Sequence, residues 1–118
     1  KLVYGLMASA YKNIAKLVGS TGDVIVYTCP DATEAIIKNV QLYNSHSGSI
    51  VVLSKITDSS ASVTVTLQTV TLGTLAATSE SADRSLAGPF VLETGDTFVL
   101  NCATASKIFV FASVLELS

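Results

Sequence analysis

The chain of 118 residues reads as all-β: a single antiparallel β-sandwich of about 7–9 short strands with an N-terminal arm. Three observations point there. From Asp23 onward, short β-branched runs recur between clusters of Gly, Ser, Asp and Pro. The stretch "SVTVTLQTVTL" alternates apolar and polar residues with the period of a half-buried strand. Most connections between runs are of hairpin length, which favours antiparallel pairing. A jelly-roll and an immunoglobulin-like arrangement both fit.

The strands follow in order. "DVIVYTC" opens at Asp23, and "TEAIIKNVQLYN" follows the break at Pro30-Asp31-Ala32. "SIVVLSKI" follows the turn-rich "SHSG". Next, Val63, Val65 and Leu67 face one way, and Thr64, Thr66 and Gln68 the other. The phase then flips, because Val70 and Leu72 are apolar at even positions. A flip requires a bulge, or a strand passing between sheets, near Gln68 and Thr69. "GTLAATSESADRS" is expected to be a long loop. "LAGPFVLETGDTFVLNCATAS" reads as strand, turn and strand, with Phe98, Leu100 and Cys102 inward and Thr97, Val99 and Asn101 outward. The last strand, Lys107 to Leu117, is apolar on both faces: Ile108, Val110, Ala112 and Val114 on one, Phe109, Phe111, Leu115 and Leu117 on the other. A monomer rarely leaves such a second face exposed, so these four residues are expected to form an oligomer contact.

Charge divides the chain unevenly. Residues 1–22 hold Lys1, Lys12 and Lys16 and no acid, whereas residues 23–118 hold four bases and nine acids, a balance of −5. This predicts an arm over residues 1–22 and a sandwich over 23–118. The arm is also apolar and broken by glycines, which suits docking on a partner through Lys1, Leu2, Val3, Tyr4, Leu6, Tyr11, Lys12 and Lys16. Tyr11 to Val18 could instead be the first strand of the sandwich, and a turn or two of helix could fall within Ser9 to Val18. The opening "KLVYGLMASAYKNIAKLVGS" is taken as mature chain rather than a leader, since its apolar part is short and Lys12 and Lys16 follow at once.

Composition narrows the partners. Hydrophobic residues make up 49% and charged residues 14%, against about 25% charged in an ordinary domain. Fifteen Ser and thirteen Thr cover the surface instead, and hydroxyls lose less than ions on burial against a partner. A net charge of −2 gives no attraction to nucleic acid or to an anionic membrane. No apolar run reaches the roughly 18 residues of a membrane helix.

Catalytic groups are sparse. The single histidine, His46, sits in a polar turn, and one histidine with two well-separated cysteines makes no zinc site. No nucleophile-elbow, metalloprotease or phosphate-loop motif occurs. Asp23, Asp31 and Glu34, or Glu93 and Asp96, could contribute oxygens to a calcium ion, but acids beside turns are ordinarily surface groups. Tyr4, Tyr11, Tyr27 and Tyr43 are possible sugar platforms, although Tyr27 and Tyr43 fall inside strands. Neither catalysis nor a cofactor is expected. Cys29 and Cys102, both in apolar strand contexts, are expected to be reduced and buried.

The segment "YTCPDATEAIIKNVQLYN" resembles one found in small structural proteins of tailed phages. In these, a strand ending in tyrosine-threonine-apolar-proline leads through a short turn into an alanine-isoleucine-valine-lysine strand that ends near asparagine. Here those positions are Tyr27-Thr28-Cys29-Pro30, then Ala35-Ile36-Ile37-Lys38 and Asn44. The later turn of that family is matched by Leu92, Gly95, Asp96 and Thr97, and its apolar final strand by "KIFVFASVLEL". The likeness covers about Val24 to Leu117. It departs where the family has proline-alanine-glycine and this chain has Pro30-Asp31-Ala32, and where the family has valine and this chain has Cys29. The second departure makes Cys29 a filler of valine-sized space rather than a nucleophile. The first leaves the turn conformation open, since no glycine is present to take φ > 0.

The resemblance implies a virion β-sandwich. The expected role is a capsid decoration or cement subunit, made in the host cytoplasm, that sits on the capsid surface as a homotrimer and clamps the major capsid protein. A tail, baseplate or fibre module is the alternative within that class, and a carbohydrate-binding sandwich the alternative outside it.

Overall fold

In a computed structural model, residues 8–74 and 81–118 are described. They form nine strands: β1 (Ser9–Leu17), β2 (Gly22–Thr28), β3 (Glu34–Asn44), β4 (Ile50–Asp58), β5 (Val63–Leu72), β6 (Asp83–Leu86), β7 (Phe90–Leu92), β8 (Thr97–Cys102) and β9 (Ile108–Leu117). The chain is doubled back on itself. β1 pairs with β9, β2 with β8, β3 with β7 and β6, and β4 with β5, all antiparallel. The doubled ribbon then wraps, so that β9 also joins β3 and β8 also joins β4. This yields a five-stranded sheet, β1-β9-β3 with β6 and β7 along the far edge of β3, facing a four-stranded sheet, β2-β8-β4-β5. That order is a jelly roll.

The core lies between the sheets. Phe98, Leu100 and Cys102 from β8 meet Ile108, Val110, Ala112 and Val114 from β9, with Ile37, Leu42, Ile50, Val52, Leu72 and Leu92 around them, all 2% exposed or less. Phe90 stacks on Phe98 with ring centroids 6.1 Å apart. The phase flip in β5 is a bulge. Ser54 pairs with Gln68 and Lys55 with Thr66, so Leu67 is the unmatched residue. The extra residue turns Val70 and Leu72 onto the inner side already faced by Val65, the partner of Ile56.

The boundary at Gly22 is corrected. Residues 9–17 form β1, paired along β9 from Ser9↔Leu117 to Leu17↔Phe109, and Val18 is fully buried. The alternative, a first strand over Tyr11 to Val18, describes this stretch, because an apolar β9 offers a paired edge that no free arm provides. The loop expected over "GTLAATSESADRS" also ends early: Asp83–Leu86 is β6, paired with Val40 to Tyr43. With one apolar residue in four it carries no alternation to read. Residues 75–80 of that loop lie outside the described residues.

Two polar residues organise the corners. Asn44 is 1% exposed, and its Nδ2 donates to the carbonyls of Gly48, Leu72 and Gly73 at 3.0–3.2 Å while Oδ1 accepts from the His46 amide. Asp96 is also buried; its carboxylate accepts from the amides of Ser59 at 2.9 Å and Glu93 at 3.0 Å. Pairing backbone amides with a carboxylate lets two loops be buried without orphaned donors.

Candidate interaction surface

The outer faces of the two sheets differ in kind. On the four-stranded sheet, Asp23 Oδ1 accepts from Lys55 Nζ at 3.0 Å and from Asn101 Nδ2 at 2.7 Å, a polar cluster across β4, β8 and β2. Val99 points to the same side, as expected, yet is only 5% exposed between Ile25 and Lys55 on the flanking strands.

The five-stranded sheet presents apolar rows instead. Register places Leu17, Phe109 and Tyr43 in one row, and Ala15, Phe111 and Gln41 in the next. A polar row of Asn13, Ser113 and Asn39 follows. Then come Tyr11, Leu115, Ile36 and Val91, spanning four strands. Tyr11 is 77% exposed, Val91 69%, Phe111 49% and Phe109 46%. A depression of about 240 Å³ lies among Ala15, Gln41, Tyr43, Phe109 and Phe111. Two apolar patches thus flank a band of amide and hydroxyl groups.

Of the expected oligomer contact, Phe109, Phe111, Leu115 and Leu117 share this outer face, with the two phenylalanines half exposed and the leucines more covered. Of the expected docking residues, Tyr11 lies on the same face. Lys12 does not: its Nζ pairs with Glu116 Oε1 at 3.0 Å. Lys16 donates to the Ile25 carbonyl at 3.2 Å. These two lysines tie β1 to the sandwich, because alternate residues of a strand face opposite ways. Lys1, Leu2, Val3, Tyr4 and Leu6 lie outside the described residues.

The sequence reading missed Val91, Ile36 and Glu116. Glu116 had a legible signal, since it continues the inward parity of Ile108, Val110, Ala112 and Val114. It is 8% exposed and accepts a hydrogen bond from the Tyr27 hydroxyl. Val91 had none, because its place beside Ile36 depends on a strand pairing that the sequence does not announce.

The remaining candidates are placed in corners. Cys29 is 1% exposed, its Sγ 3.2 Å from the Thr33 carbonyl, and burial pushes its thiol above the ordinary value. Cys102 is fully buried, with its pKa raised to about 11 by burial. Both are free thiols. His46 sits in the turn after β3. Among the described residues, no three His, Cys, Asp or Glu are grouped to hold a metal ion.

No protein-family model and no curated protein sequence matches the chain. Solved structures do. A chain from the acidic stable capsid structure of Helicobacter pylori bacteriophage KHP30 superposes with a TM-score of 0.58 at 14% identity, covering 96% of this chain and 94% of that one. A chain from Bacillus endospore appendages, a family of disulfide-linked pili, superposes with a TM-score of 0.53 at 13% identity, over 98% and 93%. At such identities the likeness is one of fold. In both cases the match runs over nearly the whole of each chain.

Proposed function

We propose that this protein is a non-catalytic structural subunit of a phage particle, a decoration or cement subunit that binds the assembled shell and reinforces it. The observation that carries the reading is the half-exposed aromatic face on β1 and β9: Phe109, Phe111 and Tyr11 remain in water although the core between the sheets is already filled. An apolar sheet face of this kind marks a surface made to be covered. The fold shared with a phage capsid chain and the motif between Tyr27 and Asn44 both support a virion setting. Copies of the chain, as a homotrimer, would cover this face for one another, with the major capsid protein beneath and residues 1–7 as the docking segment. A disulfide-linked assembly is less well supported, since both cysteines of this chain are buried.

The depression beside Tyr43, Phe109 and Phe111, with Gln41 at its edge, favours the carbohydrate reading. Two measurements separate the possibilities. Quantitative mass spectrometry of purified particles should find the chain in high copy relative to tail proteins; a low copy number would assign it to the tail, baseplate or fibre. A glycan array should show no binding, and specific binding lost in Phe109→Ala would replace the structural reading with the carbohydrate one.

A further inference from the structure

Among the described residues β5 ends its sheet, so one of its long edges has no neighbouring strand there. Part of that edge is occupied: the Ala87 amide donates to Gln68 Oε1 at 3.2 Å, and beyond it Val70 and Leu72 enter the core. Val63 to Leu67 are different. All five are exposed, and Val63, Val65 and Leu67 stand 48%, 46% and 37% open. They wall an open groove of about 570 Å³ that also touches Ile56 and Val91. An unpaired strand edge is a template for another strand, and proteins ordinarily blunt it with lysine, proline or an inward charge. Residues 59–74 contain no charged residue and no proline. The bulge at Leu67 lies at the end of the open part, leaving Val63 to Thr66 regular.

We infer that this edge of β5 pairs, antiparallel, with the same edge of a second copy of the chain about a twofold axis through Val65. The pattern selects a second copy because it complements itself. In that register Val65 faces Val65 and Thr64 faces Thr66, so apolar meets apolar and hydroxyl meets hydroxyl, pairings that stabilise antiparallel sheets, while Val63 meets the bulged Leu67 at each end of the contact. Charge agrees. The acids near the groove lie toward its Val63 end, where Asp58 is the β4 partner of Val63. The twofold therefore sends the two acidic ends to opposite limits of the contact, and no like charges meet along the paired edge. Five residues span only about 17 Å of strand, and the contact is small beside the roughly 1,200 Å² of the lesser stable interfaces. It therefore joins copies already held close together, linking them through a surface separate from the aromatic face.

Cysteine cross-linking tests this directly, since the native thiols are buried. Val65→Cys places two thiols opposite one another, with Cβ atoms about 4.5–5.5 Å apart, within reach of a mild oxidant or a short bis-maleimide. Purified Val65→Cys chain at high concentration should give a covalent dimer, and Val51→Cys, exposed on the outer face of the same sheet, should not. Adding Thr64→Lys and Thr66→Lys to Val65→Cys should remove the dimer while circular dichroism stays that of the sandwich. In the unsubstituted chain, hydrogen exchange at residues 63–67 should slow as concentration rises. No dimer from Val65→Cys, equal yields from both cysteine variants, or a dimer indifferent to the lysines would overturn the pairing. So would protection of residues 63–67 that arises only when a different virion protein is added. None of these readouts depends on Phe109 or Phe111, so the pairing and the aromatic contact can fail independently.

Discussion

The Tyr27 hydroxyl on β2 donates to Glu116 Oε2 on β9 at 2.5 Å, joining the two sheets. Lys12 on β1 holds the other carboxylate oxygen at 3.0 Å. Three strands are thereby fastened at the edge where β1 and β2 each end a sheet. The Tyr27 hydrogen bond, and after it Lys12, hold the Glu116 carboxyl below its ordinary value against the opposing effect of burial. Burial first, then Glu116, pushes the Tyr27 phenol upward. Removing one member strands another: Tyr27→Phe should cost about 1.5–3 kcal/mol, the worth of a hydrogen bond to a charged group, read as a lower urea midpoint.

The same clasp sets a pH dependence. A carboxyl with a depressed folded pKa stabilises the fold above its unfolded value, near 4.5, and that contribution is lost as pH falls through the folded value. Glu116→Gln should therefore be less stable than the native chain at neutral pH, with the gap closing below about pH 4.5. Denaturation midpoints across pH 3–7 measure this. A gap of constant size at every pH would show that the charge on Glu116 contributes nothing.

Two turns respond in opposite directions. Ala32 holds φ at +54°, the left-handed region where a Cβ is strained and glycine is not, so Ala32→Gly should raise stability by about 1 kcal/mol. Gly95 sits at φ +87°, and a Cβ there would fall 2.8 Å from Ser59 Oγ. Gly95→Ala should cost about 1–3 kcal/mol and loosen the Asp96 contacts to Ser59. Thermal unfolding of the two variants beside the native chain decides both.

Alternation carries far in this chain. The strands from Asp23 onward, the bulge near Gln68 and the inward set of Phe98, Leu100 and Cys102 could all be read from period two and turn chemistry. The outward parity of Phe109 and Phe111 could be read in the same way. Partnership could not. Whether β9 lies beside β1 or β3 leaves no mark on β9 itself, so the rows joining Tyr11, Leu115, Ile36 and Val91 were invisible. Lys12 and Lys16 misled for the same reason. Charge counting groups them with an arm, but both stand on a strand paired along β9, and their ammonium groups bond to Glu116 and to the Ile25 carbonyl. Asn44 and Asp96 look like ordinary turn residues, and their burial shows only once two loops are brought together.

Since β1 is a sheet strand, truncation is informative. Deleting residues 1–16 removes β1 as far as Lys16 and with it the Lys12 end of the clasp. The shortened chain should lose its cooperative unfolding transition by circular dichroism. Deleting residues 1–7 alone should keep the sandwich and abolish binding to the particle. Retention of both fold and binding in that shorter deletion would remove the docking role from this segment.

Cysteine chemistry offers an independent check on the interior. Cys29→Val should cost under about 1.5 kcal/mol, as volume-conserving apolar swaps do. In the native chain neither thiol should react with maleimide until denaturant is added, as read by intact mass. Rapid labelling of Cys29 in the folded protein would contradict its burial beneath the Thr33 carbonyl.

The central claim is that the aromatic face of β9 is an interface between subunits. Multi-angle light scattering on Phe111→Asp, with circular dichroism on the same sample, tests it most directly. Phe111 is half exposed and outside the core, so the substitution should leave the sandwich intact while turning an oligomer into a monomer. An unchanged oligomeric mass in a well-folded Phe111→Asp chain, or a native chain that is itself monomeric and still coats the particle, would contradict it.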